Sequence, residues 1–212
     1  PSSAEASLAR TTSEAAINAT VNQMRIPAAA SVVPGLQQGL QDVPMLRLSL
    51  VSDKNDFSWL SLALQRLGTG ADTDASALKV WRDDGDLSFS TSSDIRISGG
   101  SDQFGGAGQV SIPLTVVQTI SASTKTYFVT ADISPYSVPG TSFGVRIATT
   151  VAFNLSAPNA VSTQTAAFPV DAGPVVITQY PNTVGVTTAS IVPALGPEPG
   201  IQSVGMMALQ LK

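Results

Sequence analysis

The chain ends by restating its beginning, and an internal repeat constrains a fold more than any other feature of a sequence. The last residues, GIQSVGMMALQLK (Gly200 to Lys212), follow GLQDVPMLRLSL (Gly39 to Leu50) position by position. Gly39, Gln41, Val43, Met45, Leu48 and Leu50 fall on Gly200, Gln202, Val204, Met206, Leu209 and Leu211, with Leu40 on Ile201 and Leu46 on Met207. The differences fall at outward positions of an alternating strand: Arg47 on Ala208, Ser49 on Gln210. Upstream, ASVVP (Ala30 to Pro34) is echoed by ASIVP (Ala189 to Pro193), and a two-residue insertion in ALGPEPG explains the slightly different spacing. Two echoes in one order define a repeat of about 160 residues, a usual domain size. The organisation expected is a tail of a preceding copy or linker over 1–33, one module over 34–193, and the first strand of a following copy over 194–212.

From Pro34 onward the pattern is that of β-structure. VPMLRLSLV alternates, FSWLSLALQRL sets Leu60, Leu62 and Leu64 on one face, and ALKVW, QVSIPLTVV, KTYFVTADI and TSFGVRIATTVAF follow between Gly, Pro, Asp and Ser punctuation. Glutamate occurs only at Glu5, Glu14 and Glu198, so the module holds little helix-forming material. SAEASLARTTSEAAINATV near the start has helical composition, but its place in the repeat favours an extended segment. Short strands at this spacing form a sandwich. The predicted core is Leu46, Leu48, Leu50, Leu60, Leu62, Leu64, Leu78, Val80, Val129, Val145 and Ile147. Trp59 is expected on the face opposite Leu60 and Leu62, and Trp81 alternates with Val80. Tyr127 and Phe128 are adjacent and must face opposite ways, which puts one of them on the outer surface.

Several functions are excluded by what the chain lacks. Without histidine or cysteine, it has no Ser-His-Asp or Cys-His nucleophile, no imidazole or thiolate metal site and no disulfide framework. Charged residues make up 12%, and the net charge is −4 with basic residues scattered, which is no footprint for nucleic acid. No apolar run reaches the length of a membrane helix. Glycosidase chemistry needs two carboxyls facing each other across a cleft, and aspartates crowded in one turn are a poor match. No enzymatic activity is expected.

The segment DDGDLSFSTSSD offers one ligand chemistry. Asp83, Asp84 and Asp86 supply hard oxygens, Gly85 permits a sharp turn, and Asp94 could close the site around calcium. The spacing is not that of an EF-hand and no bidentate Glu follows, so the same residues also read as a β-turn in which Asp and Gly serve the backbone. No other cofactor is expected. GTG at Gly68 to Gly70 lacks the Lys-Ser/Thr of a phosphate loop and reads as a connection. Sequons stand at Asn18 and Asn154.

Three stretches carry a resemblance. They are VPMLRLSLVSDKNDFSWLSLALQRLGTG, DTDASALKVWRDDGDLSFSTSSDIRIS and TISASTKTYFVTADISPYSVPGTSFGVRI. Their succession of an opening strand with a Gly-Thr-Gly turn, a strand running into an Asp-x-Gly-Asp loop, and a late strand ending in Asp-Ile-Ser resembles the immunoglobulin-like β-sandwich repeats of large secreted bacterial cell-surface proteins. The resemblance spans roughly Val43 to Thr150. It implies an all-β, immunoglobulin-like sandwich with extended strand segments at both chain ends, extracellular placement and tandem arrangement, and it implies no chemistry.

Together these features lead to a structural subunit or tandem repeat of an extracellular filament, stalk or surface layer, its partner being itself. An adhesin or carbohydrate-binding sandwich is the alternative. A lone terminal strand leaves a ladder of backbone groups unpaired, so Val204, Met206, Met207, Leu209 and Leu211 are the expected self-assembly residues. Either the chain continues into a further copy, or its end inserts into a neighbour by strand addition. Both produce an open head-to-tail array.

Overall fold

The computed structural model describes residues 21–162 and 167–181, together with the backbone of 186–189 and 208–211. The chain divides into two compact units at Thr178. In chain order the strands of the first are β1 (Gln23–Ser31), β2 (Leu36–Gln37), β3 (Val43–Ser52), β4 (Phe57–Leu67), β5 (Ala75–Arg82), β6 (Ile95–Arg96), β7 (Gln109–Ile120), β8 (Lys125–Ile133), β9 (Ser142–Ile147), β10 (Phe153–Leu155), β11 (Ala160–Val161) and β12 (Val170–Thr178). They form two sheets. One runs β11-β1-β3-β8-β5-β6; the other runs β4-β9-β12-β2, with β7 and β10 also paired to β4. Neighbours are antiparallel except β1 with β11 and β2 with β12. The chain therefore contributes β1 to the first sheet, crosses over Val32 to Gly35, and contributes β2 to the second. β1 falls within the 1–33 segment that the sequence places before the module, yet it is a full member of the first sheet through its pairing with β3. The compact unit closes at Thr178, ahead of the expected boundary at 193.

Alternation builds the core. In β3, Leu46, Leu48 and Leu50 point inward and are fully buried, as are Leu62, Leu64, Leu78, Val80, Val129, Val145 and Ile147. Each such side chain contributes about 1.5–3 kcal/mol. The inner faces of both sheets share this core, and Trp59 of β4 bridges them, edge-on to Tyr127 of β8 at 5.1 Å.

Leu60 is the exception. The register of β4 against β7 slips between Trp59 and Ser61. Against β10, Trp59 and Ser61 lie opposite the consecutive residues Leu155 and Asn154, so β4 carries one extra residue there and its side-chain parity reverses. Phe57 and Trp59 join Leu62 and Leu64 inside while Leu60 is only half-buried. Trp59 consequently lies in the centre of the core, and its indole N–H donates to the Ser61 carbonyl at 2.8 Å. A second slip between Pro44 and Leu46 of β3 lets the adjacent Met45 and Leu46 both be buried.

The GTG turn joins the end of β4 to the start of β9. Gly70 N–H donates to the Ser142 carbonyl at 2.9 Å, and the Thr69 amide donates to the Ser142 hydroxyl at 3.1 Å. Gly68 has φ +95°, and a Cβ there would strike the Ser142 carbonyl. Only glycine meets both demands.

In the second unit, β13 (Val186–Ala189) and β14 (Ala208–Leu211) pair antiparallel as a two-stranded sheet. Thr187 lies opposite Gln210, Thr188 opposite Leu209 and Ala189 opposite Ala208. By the sequence correspondence of the repeat, these are the counterparts of Ala28 opposite Ser49, Ala29 opposite Leu48 and Ala30 opposite Arg47, which are the pairs observed between β1 and β3. Over these three pairs the two ladders have the same register.

Candidate functional site

The acidic loop follows β5 directly. Carboxylate oxygens of Asp83, Asp84 and Asp86 lie within 4.8 Å of one another. Most of their hydrogen bonding is directed at the loop itself. Asp83 accepts from the amides of Gly85 at 3.1 Å and Leu87 at 3.3 Å, Asp84 from Asp86 at 3.2 Å, and Asp86 from Ser88 at 2.7 Å. These are turns closed by side chains, with Gly85 and Leu87 at positive φ. Asp94 stands outside the trio. It is buried, and its two oxygens accept from the amides of Asp84 at 3.1 Å and Ser90 at 3.0 Å, drawing the loop shut at its base.

Burial raises the Asp83 carboxyl above its ordinary range. The negative charges of Asp94 and Asp86 add to this, against the opposing pull of the Leu87 and Gly85 amides. One of its oxygens is buried without a protein partner. The trio offers a cation three carboxylates, whereas calcium takes six to eight oxygens. The remainder would have to come from carbonyls or water.

The loop acts as a lid. On the outer face of the first sheet, Ala77, Lys79 and Trp81 of β5 lie opposite Asp132, Thr130 and Phe128 of β8. Phe89, carried by the loop, packs edge-on against both Trp81 at 5.4 Å and Phe128 at 5.6 Å. The Arg96 guanidinium lies 5.9 Å above the Trp81 ring. The indole N–H of Trp81 donates to the Thr130 hydroxyl at 3.0 Å, and Arg47 reaches the Leu87 carbonyl at 3.1 Å. One of the adjacent pair Tyr127 and Phe128 is expected on the outer surface; both are buried, as is Trp81.

Beside the lid lies a constellation that the sequence reading missed. The Lys79 ammonium, itself buried, donates to Asp42 at 2.7 Å and to Asp132 at 2.7–2.9 Å, and the Asp42 amide donates to Asp132 at 2.8 Å. Burial alone would lower the Lys79 pKa. Hydrogen bonds from Asp132 and Asp42, and their charges, outweigh it and hold the amine above its ordinary value. Three segments far apart in the chain meet here. A lone Lys inside ALKVW carries no local sign of its partners.

Of the residues predicted to mediate self-assembly, Leu209 and Leu211 stand in β14. Val204, Met206 and Met207 lie outside the described residues, as does the sequon at Asn18. Asn154 is exposed on β10. Among the described residues the strongly exposed aromatics are Tyr136 and Tyr180, at 91% and 60%, and no helix is long and apolar enough to cross a membrane.

These features define an all-β protein of two sheets around one core, with an acidic loop folded as a lid and a further strand pair after the first unit. No protein-family model matches the chain, and no curated protein matches it.

Proposed function

We propose that this chain is a structural module of an extracellular filament, stalk or surface layer whose copies are joined head to tail through terminal strands. The observation that carries this reading is the shared register of β13–β14 and β1–β3. A repeat confined to sequence need not repeat a structure, and the agreement of three strand pairs supports reading the second unit as the start of a module of the same design. Strand order supports an immunoglobulin-like module: β1-β3-β8-β5 on one side and β7-β4-β9-β12 on the other follow that arrangement. It departs in one respect, since the chain visits β5 before β7. With Trp59, Trp81, Tyr127 and Phe128 buried, the described residues present no row of aromatic platforms of the kind that would favour the carbohydrate-binding alternative. Electron microscopy of the native material tests the proposal. Filaments or a layer with a regular repeat are expected; separate unassembled particles would overturn it.

A further inference from the structure

The register match bears on more than the existence of a second unit, because it specifies the next strand. In the first unit β3 has two neighbours. β1 holds one edge, and β8 holds the other with Arg47 opposite Phe128, Leu48 opposite Tyr127, Ser49 opposite Thr126 and Leu50 opposite Lys125. β14 occupies the place of β3, and β13 that of β1. Among the described residues, the remaining edge of β14 is paired with nothing. Such an edge presents a row of backbone donors and acceptors ready to add a strand.

We propose that this edge of β14 is an acceptor site for an antiparallel strand of the β8 type, contributed by a module of the same kind. The proposal rests on the tandem-module reading and adds the identity and register of the strand. Transposed from β3, the register puts Ala208, Leu209, Gln210 and Leu211 opposite the positions that Phe128, Tyr127, Thr126 and Lys125 hold in β8. The first unit cannot spare its own β8, since both edges of that strand are occupied, by β3 and by β5. The incoming strand is therefore a second β8-type segment, and recognition lies in main-chain pairing reinforced by its alternation, KTYFVTADI.

The test uses the full 212-residue chain and a fluorescent synthetic peptide of residues 124–134. Titration followed by anisotropy should show saturable binding, which is lost with a scrambled peptide and with the Leu209→Pro chain, because proline cannot take part in the ladder. Register is read separately. The chain has no cysteine of its own, so a Gln210→Cys chain can be offered peptides with cysteine in place of Thr124, Thr126 or Phe128. Disulfide yield should peak at the Thr126 position. Absence of binding, undiminished binding by Leu209→Pro, or a cross-linking peak at another position overturns the inference. Filaments in the native material combined with any of these results would leave the structural-module reading standing without this site. Binding in register by material that never assembles would do the reverse.

Discussion

The two faces of the first sheet are buried by different means. Its inner face is closed by the second sheet, and Leu48, Val80, Tyr127 and Val129 meet almost only apolar neighbours there. Its outer face over β5 and β8 is closed by a loop, and what it buries is mixed: the aromatic trio of Trp81, Phe89 and Phe128 beside the ion pairs of Lys79. Alternation alone assigns the first kind of burial. The second depends on where a distant segment comes to rest, and it is secured by directional bonds that the inner face does not use.

Substitutions should separate the two faces. Leu48→Ala, on the inner face, is expected to cost about 2–5 kcal/mol in urea unfolding, because the site is fully enclosed. A loss below about 0.5 kcal/mol would mean that the inner face is not packed as described. On the outer face, Lys79→Ala strands two carboxylates whose side chains are 23% and 13% exposed. It should cost about 2–3 kcal/mol, less than the ~3–5 of a pair wholly out of water. This contribution has a pH signature. The native pKa of Lys79 is raised, so the stabilisation is complete below the unfolded lysine's value of about 10.4 and fades as the pH climbs through the raised native value. Unfolding curves measured at neutral and strongly alkaline pH should lose that difference in Lys79→Ala.

Phe89→Ala removes two edge-on ring contacts from a half-buried lid residue. The expected cost is about 1–2 kcal/mol. Emission from Trp81 should shift to the red as the lid loosens, while Trp59 stays in the core. The smallest effect, of opposite sign, belongs to the inner face. The Tyr127 hydroxyl is buried with no protein partner, and burial pushes its pKa up to about 12. Tyr127→Phe removes an unpaired polar atom and should stabilise by up to about 1 kcal/mol. A clear loss would show that the hydroxyl makes a bond of value.

The same contrast explains what could be read in advance. Leu48, Leu50, Leu78 and Val145 were legible because each lies in an unbroken alternation whose inward phase is set by its neighbours. Leu60 and Trp59 were not, since the slip beside Ser61 depends on pairing with β7, some fifty residues away, and leaves no mark in FSWLSL. Trp81 alternates with buried Val80 as read, and either Tyr127 or Phe128 had to face away from the core, but the lid that covers Trp81 and Phe128 is a tertiary effect. Asp83, Asp84 and Asp86 were recognisable as a cluster. Asp94 was recognisable as a closing residue too, though what it closes is the loop's own backbone. The Lys79 triad joins residues 37 and 53 positions apart, beyond the reach of any local pattern. The terminal echo was visible as a string of matching letters. Its register was not, because pairing is a relation between strands.

The crossing of the chain from β1 to β2 has a mechanical consequence. β1 is held by β3 in one sheet, and a few residues later β2 is held by β12, the last strand of the unit, running parallel to it in the other. A pull applied at Gln23 and at Thr178 acts along these ladders, so their hydrogen bonds are loaded side by side and must yield together instead of unzipping in turn. Stretched between those points, the unit is expected to hold its length and then give way in one abrupt step.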